Sequence, residues 1–79
     1  MNVVIYSKDR CGYCEMAIKL TELKKHDSVV KKLDVDFTRE ELLELFPTAK
    51  SFPQIVVDGK HIGGYNEYAR YLQETKQQD

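Results

Sequence analysis

Short β-branched runs and helical stripes alternate along the chain. Asn2-Val3-Val4-Ile5-Tyr6 is an apolar run that stops at the polar stretch Ser7-Lys8-Asp9-Arg10, which predicts a buried strand followed by a loop. From Tyr13 onward, apolar residues fall at Met16, Ala17, Leu20 and Leu23. This i, i+3, i+4, i+7 spacing predicts an amphipathic helix that begins near Cys11. Lys24-Lys25-His26 then suit its negative C-terminal end. A second strand is expected across Val30 to Val35, and a strand–helix–strand unit of this length favours parallel pairing through a right-handed crossover.

The second half is punctuated as clearly. Thr38 followed by Glu41 has the capping-box pattern ahead of Leu42, Leu43, Leu45 and Phe46, and Pro47 biases Phe46 away from continuing a helix. A short second helix is predicted there. Gln54-Ile55-Val56-Val57, Asp58-Gly59 and Lys60-His61-Ile62 read as a hairpin whose turn dipeptide suits type I′, and Gly63-Gly64 break the strand. The last segment puts Tyr68, Ala69, Tyr71 and Leu72 on one helical stripe, with the polar tail Lys76-Gln77-Gln78-Asp79 expected to fray. No internal repeat or linker interrupts this order, so residues 1–79 are read as a single domain of the α/β class.

Composition narrows the function. A chain of 79 residues buries only roughly 60–65% of its unfolded surface, enough for one modest core. Twelve Lys and Arg against 13 Asp and Glu give a formal net charge of -1, without the basic footprint of a general nucleic-acid binder. The first residues lack a signal-peptide profile, and no apolar run approaches the roughly 20 residues that span a bilayer. The expectation is a soluble, monomeric protein of a reducing cytoplasm, with neither nucleic acid nor membrane as partner.

Cys11 and Cys14 then pose the chemical question. Bridging them closes too small a loop to hold a fold together by chain entropy, so a structural disulfide is the weakest reading. A C-x-x-C pair also supplies half a zinc site, but only His26 and His61 remain as soft partners and neither stands at a recognisable metal spacing. A third reading is a pair of inert buried thiols. Redox chemistry fits better, because the pair lies in a βαβ context where a helix begins. The first-turn amides and helix dipole favour negative charge at Cys11, and Lys8 and Arg10 add positive potential nearby. Cys11 is therefore the expected attacking sulfur. Cys14, one turn further in and more buried, is the expected resolving thiol.

Three segments resemble those of the glutaredoxin family, in family order: Cys11-Gly12-Tyr13-Cys14 after a first strand, Ser51-Phe52-Pro53-Gln54-Ile55 before a hairpin, and Ile62-Gly63-Gly64-Tyr65-Asn66 before a last helix. The resemblance covers essentially the whole chain. It implies a thioredoxin-like fold, a four-stranded mixed sheet flanked by three helices, and a thiol–disulfide oxidoreductase that uses glutathione as co-substrate and no metal. Carried over by residue, it implies a cis peptide bond at Pro53 that leaves the Phe52 backbone free to pair with an extended ligand. Gly63 and Gly64 would turn the chain toward the Tyr65 and Asn66 amides, which would receive a glutathione carboxylate. Tyr13 would cover the glutathione sulfur, Lys8 would pair with another carboxylate, and Ser51 would line the same site. Disulfide-containing proteins such as ribonucleotide reductase are the partners the resemblance implies.

The chain also departs from the family pattern. Many dithiol members have proline where this chain has Gly12, and glycine does not fix the backbone in advance, so a looser site is expected. Relatives with a small residue there resemble scaffolds of a 2Fe–2S cluster, with Cys11 and a glutathione thiolate as ligands, which is one alternative. A redoxin reduced by a flavoenzyme thioredoxin reductase is another. Asn66 and Glu67 stand where acidic residues are frequent, and Lys50 stands where an arginine is usual.

Overall fold

The computed structural model describes residues 1–76; of the tail expected to fray, residues 77–79 lie outside them. Strand β1 (Asn2–Ser7) runs through the middle of a four-stranded sheet of order β2-β1-β3-β4. It pairs in parallel with β2 (Asp27–Lys32), Ile5 opposite Val30, and antiparallel with β3 (Gln54–Val57), Ile5 opposite Ile55. Strand β4 (Lys60–Gly63) closes the sheet antiparallel to β3. Helix α1 (Gly12–Leu23) links β1 to β2, α2 (Arg39–Leu45) links β2 to β3, and α3 (Tyr65–Lys76) follows β4. This mixed sheet with three helices is the thioredoxin-like arrangement expected.

The pleat of β1 sorts its side chains between two cores. Val3 and Ile5 join Ile55 and Val57 on one face, under Ala17 of α1 and Tyr68 and Leu72 of α3. Tyr6 faces the other way and packs edge-on against the rings of Phe37 and Phe46, which with Leu42 form the cluster under α2. Each fully buried Ile or Val contributes about 1.5–3 kcal/mol. Tethering β1 between both clusters fixes the loop that leaves its C-terminal end, and that loop carries the cysteines.

Turns and caps follow the expected chemistry. Asp58 and Gly59 both take left-handed φ, 49° and 83°, as a type I′ turn requires. Thr38 and Glu41 form the reciprocal capping box: the Thr38 hydroxyl accepts the Glu41 N–H at 3.1 Å, and the Glu41 carboxylate accepts the Thr38 N–H at 2.8 Å.

Two expectations need correction. The second strand occupies Asp27–Lys32 rather than Val30 to Val35. The chain turns at once after Lys32, whose carbonyl accepts the Asp36 N–H at 2.8 Å and whose own N–H donates to the Asp36 carboxylate at 2.9 Å. Val35 is spent in that turn. The buried stripe of α1 is Cys14, Ala17 and Thr21, whereas Met16 and Leu23 of the expected stripe are 46% and 78% exposed. A buried threonine is compatible with that face because its hydroxyl donates to the Ala17 carbonyl at 2.9 Å and lies 2.6 Å from the Tyr68 hydroxyl.

Candidate active site

The loop from β1 to α1 sets up the cysteines. Arg10 takes a left-handed φ of 55°, which turns the chain sharply at a cost of about 1–2 kcal/mol. Cys11 then falls at the N-cap of α1 in an extended conformation. Its sulfur occupies the place where a serine or aspartate oxygen caps a helix: the Cys14 N–H donates to Cys11 Sγ at 3.2 Å. Cys11 and Cys14 are joined by a disulfide, with Cα atoms 5.2 Å apart. When that bond opens, the first-turn amides favour negative charge on Cys11, which is 8% exposed. Cys14 is only 2% exposed, so its charged form would be the more desolvated.

The second segment lies beside the first. The bond between Phe52 and Pro53 is cis. Phe52 stands just ahead of β3, with the Lys8 ammonium 5.7 Å from its ring centroid. The segment is tied down by Gln54, whose Nε2 donates to the Ser51 carbonyl at 2.8 Å and whose Oε1 lies 2.7 Å from His61 Nε2. His61 in turn stacks on Phe46 at 4.1 Å. A polar relay therefore runs from β4 through β3 to Ser51.

The third segment forms the opposite wall. Gly63 has φ 126°, a value that L side chains rarely adopt, and a Cβ on Gly64 would crowd the Glu67 carboxylate at 3.2 Å while standing in ordinary contact, 3.6 Å, with the Pro53 carbonyl. The turn at Gly63 leads the chain past Pro53 into α3, with the Tyr65 and Asn66 amides in the first turn, where no intrahelical acceptor is available. Glu67 occupies part of this terminus, its Oε1 accepting the Gly64 N–H at 2.7 Å. Tyr13 reaches across from α1, its ring 6.1 Å from that of Tyr65.

Two grooves result. One, of about 500 Å³, is walled by Lys8, Arg10, Cys11, Tyr13, Arg39, Lys50, Ser51 and Phe52 among others. The second, of about 310 Å³, runs from Tyr13, Ser51, Phe52 and Pro53 to Gly64, Tyr65, Asn66 and Glu67. They share Tyr13, Ser51 and Phe52, so the two adjoin as one cleft with Cys11 in the wall of its first part. Its walls include Lys8, Arg10, Cys11, Tyr13, Ser51, Phe52, Pro53, Gly64, Tyr65 and Asn66; Gly63 and Cys14 are not among the lining residues, Cys14 being buried and bonded to Cys11. Such a cleft suits an extended ligand with a sulfur at its middle: an attacking thiolate at Cys11, cations on one side and helix amides on the other.

Reasoning from sequence missed Arg39 and the Gln54–His61 relay, and named Glu67 without its role as a cap. Arg39 reaches the groove as the first residue of α2, which the Thr38 cap fixes. Glu67 caps α3 through Gly64, in the spacing of half a capping box. The Gln54–His61 relay had no signal, since it joins residues that meet only once the hairpin forms.

Known proteins match this geometry. The glutaredoxin family model matches residues 3–62. Glutaredoxin 1 of Escherichia coli strain K12 is 32% identical over 82 residues, covering 95% of this chain and 96% of that protein. The solved structure of reduced Escherichia coli glutaredoxin superimposes with a TM-score of 0.75 at 30% identity, over 98% of this chain and 99% of that one. A buckwheat glutaredoxin–glutathione complex superimposes with a TM-score of 0.70 at 25% identity, over 94% of this chain and 70% of that one.

Proposed function

This chain belongs to the glutaredoxin family and is a thiol–disulfide oxidoreductase, and on that premise we propose that glutathione is its reductant and co-substrate. The observation that carries the reading is the cleft itself, which sets the capped Cys11 sulfur between a cationic wall and the N-terminus of α3. The similar buckwheat protein was solved with glutathione bound, which supports the same ligand here.

The reaction is a pair of thiol exchanges. The Cys11 thiolate attacks one sulfur of a substrate disulfide; a Cys11–substrate disulfide forms, the substrate bond breaks, and the departing sulfur leaves as a thiolate that takes up a proton. Cys14 or a glutathione thiolate then attacks the Cys11 sulfur and releases the reduced substrate. Two glutathione molecules supply the two electrons and leave as their disulfide. In the mixed disulfide, glutathione lies along the cleft with one carboxylate at the Tyr65 and Asn66 amides, its backbone against Phe52 and Pro53 beside Ser51 and Gly64, and the other carboxylate near Lys8. Tyr13 covers the sulfur.

The partners proposed are disulfide-bearing proteins, ribonucleotide reductase among them, met by a monomer in a reducing cytoplasm. The deciding experiment is turnover of a glutathione mixed disulfide with glutathione, glutathione reductase and NADPH, run beside thioredoxin reductase and NADPH. Rapid NADPH oxidation only in the first supports the reading; oxidation only in the second replaces glutathione with a flavoenzyme.

A further inference from the structure

We infer that the protein substrates of this enzyme carry acidic residues beside their reactive disulfide, which dock on a cationic wall made by Lys8, Arg10, Arg39 and Lys50. The inference builds on the reading above in one respect, that Cys11 is the attacking sulfur.

Four cations from three separate segments meet here. Lys8 and Arg10 come from the loop after β1, Arg39 opens α2, and Lys50 stands in the loop before β3. Among the described residues, no aspartate or glutamate lines the same groove. Asp9, the one acid in the first loop, pairs instead with Lys32 at 2.6 Å. Among the described residues, none of the four cations has a carboxylate partner. A chain of formal net charge -1 thus gathers four unpaired positive charges around its reactive sulfur. Like charges that line one groove repel one another, and an acidic partner relieves that repulsion.

Glutathione does not use the whole wall. It brings two carboxylates, and the proposed pose sends one of them to the α3 amides in the second groove. One carboxylate remains for four cations. The surplus fits a longer ligand, a segment of protein with several Asp or Glu near its cysteine. The wall also includes Leu42 and Leu43 and opens directly onto Cys11, which favours a disulfide-bearing peptide over a nucleic acid. Complementary charge acts mainly by steering encounter, so it should appear in kcat/KM at low salt. The exchange chemistry is unchanged: Cys11 bonds to one sulfur of the acidic partner, the other leaves as a thiolate and is protonated, and glutathione supplies both electrons.

The test uses the intact protein with three peptides of equal length, each containing one internal disulfide flanked by Glu, Gln or Lys, in the glutathione-coupled assay. The expected order of kcat/KM is Glu above Gln above Lys, spanning about tenfold at low salt. It should collapse near 1 M salt, where charges are screened beyond about 3 Å. The double variant Arg39→Glu/Lys50→Glu is expected to reverse the order. An order that is flat, indifferent to salt, or unchanged in the double variant overturns the inference. So does a short single-stranded RNA that competes as well as the Glu peptide, which would make the groove a general polyanion site. A small glutathione mixed disulfide run in parallel separates the two readings: if it turns over while the peptides rank flat, only this inference fails. If it does not turn over, the glutathione reading fails, and anisotropy of the labelled peptides still tests the charge preference.

Discussion

The Cys14 amide donates to the Cys11 sulfur across 3.2 Å, a contact that would favour a thiolate on Cys11 once the disulfide opens. The two cysteines thus have unequal chemistry although they sit three residues apart. Cys11→Ser should abolish turnover of a glutathione mixed disulfide. Cys14→Ser keeps the backbone donor and should retain that turnover, while losing the intramolecular route that closes the Cys11–Cys14 disulfide. Equal loss in both variants in the coupled assay would show that the pair acts only as a unit.

Gly12 is the first residue of α1, and a Cβ added there meets nothing within 4 Å. Cys11 before it is already extended, with φ -123° and ψ 103°, outside the α region that a following proline disfavours and close to the extended range it prefers. Gly12→Pro should therefore stabilise the protein by about 0.4–1 kcal/mol, mostly by restricting the unfolded chain. A urea midpoint that is unchanged or lower would mean that the glycine's freedom, or its N–H, matters to the folded site.

Gln54 holds the Ser51 carbonyl from beneath and shares its other end with His61. Gln54→Met removes both contacts and should cost about 1 kcal/mol of stability. Because Ser51 and Phe52 wall both grooves, KM for the glutathione mixed disulfide should rise several-fold while kcat holds. Gln54→Glu keeps a partner for His61 but offers Ser51 no donor, so it should raise KM in the same way. Unchanged KM in both would mean that other contacts position Ser51.

What the sequence made legible follows from how local each signal is. The capping box at Thr38, the Asp58-Gly59 turn and the cysteines at a helix start each depend on a few adjacent residues, and each appears where expected. Strand β2 was displaced because its start at Asp27 and Ser28 is polar, tolerable on an edge strand paired only with β1, while the β-branched Val35 lies in a turn. The end of α1 falls at Leu23, ahead of Lys24-Lys25-His26 as expected, but the way it closes had no local signal. His26 N–H bonds to the Thr21 carbonyl and Lys25 N–H to that of Glu22, a Schellman closure with lysine at φ 57° where glycine is usual. Within the site, Arg39 and the Gln54–His61 relay depend on which face of α2 meets the sheet and on hairpin register, both settled by tertiary packing.

Tyr68 provides a test of the scaffold beneath the site. Its side chain is fully buried and its hydroxyl lies 2.6 Å from that of Thr21, linking α3 to the helix that carries both cysteines. Burial pushes its pKa above the ordinary 10.0, and the bond to Thr21 offsets only part of that. Below the unfolded value both states keep the phenolic proton, so this group adds no pH dependence there. As pH rises through 10.0, the unfolded chain loses the proton first, binds fewer protons than the folded protein, and stability falls. Tyr68→Phe should cost about 1 kcal/mol at neutral pH through the lost hydrogen bond, and should flatten the decline between about pH 9 and pH 11. Urea unfolding with the Cys11–Cys14 bridge kept oxidised, so that no thiol titrates, compares the two slopes. Equal alkaline slopes in the wild type and the variant would assign the decline to other groups and show that Tyr68 ionises as readily in the folded protein as in the unfolded chain.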